Sequence, residues 1–287
     1  MDLSTGHTPL IVGATTFGPA ITSHTFSNGT GKITCSGEIT KIGSSAFCAC
    51  PGLTSVTIPS SVTMIGDDAF FYCDDLTSIT IPNSVITIGD NAFEGCSSLT
   101  GALIIPNSVT TIGNNAFDGC SGLTLLTIGN SVTTIGYYAF YNCSGLIGAL
   151  IIPKTVTIIG YGAFYCCSGL TSIEIPNSVT ALGEGAFYGC SGLNSIKCYA
   201  VVPPSIDKNT FYGVRKAIPL YVPKGSITWY QGDTYWKEFL NIQGMDDTAI
   251  ETIKKNSDSA RSKFIINNSL NILHKGNLYN ATGARVK

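Results

Sequence analysis

The sequence predicts a repeat solenoid: a right-handed, β-rich superhelix in which each 23–24 residues supply two short parallel strands and a short helical or 3₁₀ turn. Three observations predict it. A phenylalanine recurs at Phe47, Phe70, Phe93, Phe117, Phe140, Phe164, Phe187 and Phe211, in steps of 23 or 24 residues, the period of a short solenoid unit. A glycine closes the second apolar stretch of each of the first seven units, at Gly43, Gly66, Gly89, Gly113, Gly136, Gly160 and Gly183. A Pro-(Asn/Ser)-Ser corner separates the two apolar stretches, as at Pro82-Asn83-Ser84 and Pro176-Asn177-Ser178.

Residues 1–29 are rich in Thr, Gly, Pro and His and fit no column of the repeat. They read as an N-terminal cap, which a solenoid needs over its first exposed core face, or as a disordered segment. From Thr30 the register locks. Ile33, Cys35, Ile39, Ile42, Gly43 and Phe47 take the places later held by Val56, Ile58, Val62, Ile65, Gly66 and Phe70. The array of eight Phe-anchored repeats then runs over 30–213.

Leu53–Asp75 shows how each repeat is built. Leu53, Val56 and Ile58 end on an apolar–polar alternation, the mark of a half-buried strand. Pro59 presets φ and the following Ser residues satisfy backbone groups, so a tight corner is expected. The second strand, Val62–Ile65, ends on Gly66, which implies either a positive φ or a place too crowded for a Cβ. Ala69, Phe70 and Cys73 then form one turn of helix or 3₁₀, too short to stand alone. Stacking of neighbouring repeats buries each Phe between two others.

Two repeats carry one extra residue, at Gly101-Ala102 and Gly148-Ala149, which a strand absorbs as a bulge. The eighth unit drifts, with Val201-Val202-Pro203-Pro204 in place of the corner. Residues 214–245 read as a C-terminal cap, its bulk in Ala217–Val222 and Trp229–Phe239. Residues 246–287 read as a linker, helical or flexible over 246–261, and a small β-hairpin or three-stranded module, marginal on its own.

Composition excludes several classes. Charged residues make up only 12% of the chain and mean hydropathy is +0.27. Apolar runs such as Ala102–Ile105 nevertheless last about four residues, against the roughly 18–20 needed to span a bilayer, so no transmembrane segment is expected. Between Cys35 and Ser195 there are ten acidic residues against two lysines, and from Ile196 onward thirteen basic against seven acidic. An acidic array argues against nucleic acid, whose binding rests on phosphate neutralisation. The basic end reads as a solvated linker or contact surface. Met1–Thr8 lacks a basic n-region followed by an apolar core. That fits either an intracellular protein or a piece whose export signal lies outside it.

No constellation carries recognisable chemistry. Seven of the eleven cysteines (Cys50, Cys73, Cys96, Cys120, Cys143, Cys167 and Cys190) follow the Phe by three residues, while Cys35 and Cys198 take the strand position of Ile58. These nine read as small buried hydrophobes with free thiols. Side chains stacked in parallel at about 4.8 Å have poor geometry for a disulfide. Cys48 and Cys166 stand off the columns. Neither the Cys-x-Cys at 48–50 nor the pair at 166–167 has the partners a zinc site requires. The histidines, His7, His24 and His274, all lie outside the array proper. Asp67-Asp68 and Asp74-Asp75 fall at turns and read as a solvated rim, with weak calcium binding as the sharper alternative. No phosphate-binding loop, nucleophile elbow or metalloprotease motif occurs. No cofactor, metal or catalytic residue is expected.

Two surface features remain. The outward residue of the first strand runs Thr57, Thr80, Ile104, Thr127, Ile151, Glu174, Lys197, a column that faces the binding side in horseshoe solenoids. Its two isoleucines read either as a contact patch or as ordinary exposed β-branched residues. Aromatic residues form the second feature. Tyr141, Tyr165 and Tyr188, with Phe71 and Tyr212, directly follow the Phe, and Tyr137, Tyr138 and Tyr161 precede it. They read as anchors for a protein or a sugar, or as packing between repeats.

The motif Leu-x-x-(Ile/Val)-x-Ile-Pro-x-Ser-Val-x-x-Ile-Gly-x-x-Ala-Phe-x-x-Cys, over roughly 30–213, resembles the BspA-like, or Treponema-type, leucine-rich repeats of bacterial surface proteins. Val222-Pro223-Lys224-Gly225 through Trp236-Lys237-Glu238-Phe239 looks like the end-cap of Bacteroidales members. The tail from Ile272 to Lys287, with Gly276–Gly283 inside it, looks like the short C-terminal β-module that often ends their secreted proteins. The resemblance implies a leucine-rich-repeat fold and an exported, cell-surface or extracellular protein. It also implies a non-enzymatic role in adhesion to a host matrix or neighbouring-cell protein. It supplies no ligand, because scaffold rather than site unites the family. Glycan capture by the Tyr patch of repeats five to eight is the alternative.

Overall fold

The computed structural model describes residues 2–5, 17–19, 21–27, 30–245, 262–266, 269–274 and 277–280. The linker expected at 246–261 lies outside these residues. Two compact units emerge, Met1–Met245 and Asp246–Lys287. In the second, strands Ser262–Ile266, Ser269–His274 and Asn277–Asn280 pair antiparallel into a three-stranded sheet.

The first unit is a parallel β-solenoid. One ladder stacks six two-residue strands in parallel: Lys41–Ile42, Met64–Ile65, Thr87–Ile88, Thr111–Ile112, Thr134–Ile135 and Ile158–Ile159. A second side is built from the Leu-x-x-Val-x-Ile stretches. Leu53–Val56 pairs with Ser78–Ile79, and Gly101–Ile104 with Leu123–Thr127. A run of five follows, from Gly148–Ile151 through Leu170–Ile175, Ser195–Cys198 and Pro219–Pro223 to Asn241–Met245. The extra residues are absorbed at Gly101 and Gly148, both with positive φ, where the strand register shifts.

The third side keeps 3₁₀-type bonds but forms no continuous helix. Phe71 N–H bonds to Asp68 O at 3.1 Å and Cys73 N–H to Phe70 O at 3.1 Å. Alternate amides leave the turn and bond to the next repeat: Asp68 N–H to Asp90 O, Phe70 N–H to Ala92 O, Tyr72 N–H to Glu94 O. Their direction is set by left-handed residues two before and two after each Phe from Phe47 to Phe187, such as Asp68 and Tyr72, Asn91 and Gly95, Tyr138 and Asn142. A helix needs uninterrupted right-handed φ, so this side becomes a third hydrogen-bonded ladder instead.

The closing glycines resolve to crowding rather than φ. A Cβ on Gly66 would lie 2.8 Å from Ser44 N, and one on Gly113 would lie 2.5 Å from the Gly89 carbonyl carbon. Consecutive backbones touch there. The corner serine has a specific partner as well: Ser84 Oγ donates to Val62 O at 2.6 Å and Ser108 Oγ to Val85 O at 2.6 Å.

Inside, the Phe rings stack with centroids 5.0–5.5 Å apart from Phe47 to Phe211. Buried Phe17 ends the column at one side, 5.8 Å from Phe47. Trp236 and Phe239 end it at the other, each within 5.5 Å of Phe211. Trp236 is seated by its indole N–H, which donates to Pro204 O at 2.7 Å. Trp229, expected in the same bulky end, is exposed.

The N-terminal end departs from the expected register. Thr30–Cys35 does not pair with Leu53–Val56. Asp2–Thr5 lies between them, antiparallel to both, and Ile21–Ser27 pairs antiparallel on the outer side of Thr30–Cys35. A parallel ladder leaves its first edge open to further pairing, and this antiparallel set occupies it. Ile33 is buried as expected, but Cys35 is only half-buried.

Candidate binding faces of the array

Eight cysteines are buried free thiols: Cys50, Cys73, Cys96, Cys120, Cys143, Cys167, Cys190 and Cys198. Those from Cys73 to Cys190 also bond, each thiol donating to a Phe carbonyl at 2.9–3.2 Å. Burial pushes the Cys50 thiol up to about 11 and Cys73 and Cys190 up to about 12. Such thiols are poor nucleophiles, because the thiolate is the reactive form. Among the described residues, no group of three His, Cys, Asp or Glu could hold a metal ion.

One carboxylate of each pair serves the backbone, as does the unpaired Asp90. Asp67 Oδ1 accepts Asp90 N–H at 2.9 Å, Asp90 Oδ1 accepts Asn114 N–H at 2.7 Å, and Asp75 Oδ2 accepts Gly52 N–H at 2.8 Å. Further along, Glu94 and Asp118 occupy the position after the Phe in adjacent repeats. Burial, then the neighbouring Glu94 charge, raises the Asp118 carboxyl to about 6. Burial and Asp68 raise Glu94 as well.

On the first-strand face, Thr57, Thr80, Ile104, Thr127 and Ile151 are exposed, with Thr127 beside Ile104 in the parallel register. Ile151, Glu174 and Lys197 are successive partners. Glu174 accepts from Lys197 Nζ at 2.8 Å and from Tyr199 Oη at 3.0 Å, closing a charged cluster. Two further residues join the isoleucines. Leu125 pairs with Ala102 across the strands, in a row that elsewhere carries Ser78, Ser172 and Ser195. Ile147 follows Thr124 in a row of threonines, its N–H on Thr124 O at 2.9 Å. Ile104, Leu125, Ile147 and Ile151 are 61%, 52%, 56% and 60% exposed. The hint for the two missed residues was an aliphatic in a Ser or Thr row.

The tyrosines separate into two groups. Tyr141, Tyr165, Tyr188 and Tyr212 form a ring ladder with centroids 4.9, 4.4 and 4.7 Å apart. Tyr165 and Tyr188 lie parallel within 2°, so neighbouring rings cover the faces a sugar would stack on. Tyr137, Tyr138 and Tyr161 gather instead around a cleft of about 570 Å³ with Ile158, Thr180 and Leu182. Tyr138 joins the groups, meeting Tyr141 and Tyr161 edge to face at 5.3 and 5.0 Å.

Comparison with a family model agrees with this architecture. The family model for the BspA type leucine-rich repeat region, in six copies, matches residues 20–147, 100–218 and 146–259. A leucine-rich repeat protein of T. pallidum is 25% identical, with 72% of this chain and 84% of that chain covered at a TM-score of 0.48. One from Bacteroides ovatus is also 25% identical, covering 77% and 67% at 0.41. A leucine-rich cell surface protein from Faecalibacterium prausnitzii is 22% identical, covering 81% and 88% at 0.32. The search of curated proteins returned no match. The chain belongs to the BspA-type leucine-rich-repeat family.

Proposed function

We propose that this is a non-enzymatic, exported repeat protein that holds a protein partner on its first-strand face, as an adhesion molecule of the cell surface or secreted space. The observation that carries this reading is the aliphatic island of Ile104, Leu125, Ile147 and Ile151. It lies between Thr57 and Thr80 on one side and the Glu174–Lys197 pair on the other. An apolar centre with a polar, charged rim is the anatomy of a protein interface. Exposed aliphatic clusters on an otherwise hydroxyl-rich sheet mark interaction sites. Membership of the BspA-type repeat family supports a host matrix or neighbouring-cell protein as the partner. Surface labelling of intact source cells, with retention on immobilised matrix proteins, tests the proposal. Labelling only after lysis would contradict export, and equal retention by Ile104→Asp with Ile151→Asp would contradict the face.

A further inference from the structure

We propose that the cleft beside Tyr137 and Tyr161 is a second binding site, for an uncharged saccharide. It is independent of the strand-face reading.

Two local rules of the array fail together here. In the column after the closing glycine, Asp67, Asp90 and Asn114 each accept the backbone N–H of the next repeat, at 2.9, 2.7 and 2.8 Å. The next two residues of that column are Tyr137 and Tyr161, whose phenols replace the capping oxygen. One position on, the left-handed site held by Asp68, Asn91 and Asn115 passes to Tyr138, at φ 54°. That conformation costs roughly 1–2 kcal/mol for most L-residues. Places where a repeat gives up both a cap and an easy backbone are where function is expected.

The rings are also held in place. Tyr138 meets Tyr161 edge to face, and the Tyr137 and Tyr138 rings each lie over a glycine. A Cβ on Gly160 would fall 2.6 Å from Tyr137 Cδ1, and one on Gly162 would fall 2.5 Å from Tyr138 Cε1. Pre-placed rings lose little freedom when a ligand arrives. Tyr137 and Tyr161 remain open, 59% and 40% exposed, whereas Tyr165 and Tyr188 inside the stacked ladder are half-buried.

The chemistry of the lining selects the ligand. None of the lining side chains is charged, and the volume is in the range of small-ligand sites. Glu184, just beyond the lining, accepts from Asn209 Nδ2 at 2.9 Å. The amides of Gly160, Leu182 and Gly183 are committed to ladder bonds of 2.9 Å, so the floor offers these donors to no extended peptide. It offers ring faces and hydroxyls, which match the C–H face and hydroxyl edge of a sugar. With no cation among its lining residues, the cleft offers sulfated, sialylated or uronic glycans no charge partner.

The test is calorimetric titration of the full chain with β-1,4-mannotetraose, β-1,3-glucotetraose and an N-acetyllactosamine tetrasaccharide. Sialyllactose, a heparin tetrasaccharide and a proline-rich decapeptide serve as comparators. At least one neutral sugar should bind with Kd of about 1 mM or tighter. Tyr137→Ala and Tyr161→Ala should each weaken it roughly tenfold. Gly162→Ala removes no ring but displaces Tyr138, and should weaken binding as well. Gly185→Ala has the same left-handed φ, with nothing nearer than 3.7 Å to its new Cβ, and should bind like the parent. Circular dichroism confirms that each variant is folded. Failure of all three neutral sugars, a preference for the anionic sugars or the peptide, or equal binding by Tyr137→Ala with Tyr161→Ala would overturn the proposal. So would equal losses in Gly162→Ala and Gly185→Ala.

Discussion

The thiol of Cys96 donates to the carbonyl oxygen of Phe70, 3.1 Å away in the preceding repeat. The same oxygen accepts Cys73 N–H at 3.1 Å, so both its lone pairs are used inside the core. Cysteine suits this column because it fills a small apolar space and also carries a weak donor. Cys96→Ala keeps one of the two bonds and leaves a small cavity. It should lower stability by about 1–2 kcal/mol in urea melts; no change would mean the thiol contact is incidental.

Reactivity follows from the same burial. Under native conditions at pH 8, a thiol reagent should modify exposed Cys48 rapidly and the half-buried Cys35 and Cys166 more slowly. The eight buried thiols should stay protected until denaturant releases all eleven. Four or more disulfides by mass spectrometry would contradict the arrangement.

The Phe column is fully buried from Phe70 to Phe187. Phe117 stacks between Phe93 at 5.1 Å and Phe140 at 5.4 Å. Phe117→Ala should therefore cost about 3–5 kcal/mol. A loss under 1 kcal/mol would show that the column repacks.

Asp118 makes stability depend on pH. Its folded carboxyl titrates at about 6, above the unfolded value near 3.9, so the ionised form weighs against the fold. Stability should be greatest below the unfolded value and fall as pH rises from about 4 through 6. Asp118→Asn should stabilise by about 1 kcal/mol at pH 7 after allowance for solvent screening, and the gain should vanish near pH 4. A gain that is equal at both pH values would contradict the assignment.

Ala49 sits in the left-handed region at φ 49°, while buried Ala69 does not. Gly is easier there by roughly 1–2 kcal/mol, against about 0.5–1 kcal/mol of added chain entropy. Ala49→Gly should thus be neutral or stabilising by up to about 1 kcal/mol, and Ala69→Gly destabilising. Thermal melts showing the same sign for both would refute the turn geometry.

Much of this fold was legible in the residues themselves. The Phe spacing, the corner serines and the two one-residue insertions each predict what they do. The left-handed sites around Phe were not legible, because Ser45, Asp68, Asn91, Tyr138 and Gly162 share a φ rather than a chemistry. Asp2–Thr5 carries no repeat letter, so nothing marked it to enter the sheet beside Leu53–Val56. At the surface, Ile104 and Ile151 stood out in their column, whereas Leu125 and Ile147 belong to rows that show only when strands are set side by side. The tyrosines looked like one patch. Their division depends on ring planes, which spacing alone does not convey.

In the proposed function, the exposed aliphatic island carries partner binding. Its most direct test is the affinity of Ile104→Asp with Ile151→Asp for a matrix protein that captures the parent chain, beside Thr57→Asp with Thr80→Asp on the same face. A loss of about a hundredfold or more is expected for the isoleucine pair, as for hot-spot residues, and less than about threefold for the threonine pair. Equal affinities for the two double variants, both folded, would contradict it.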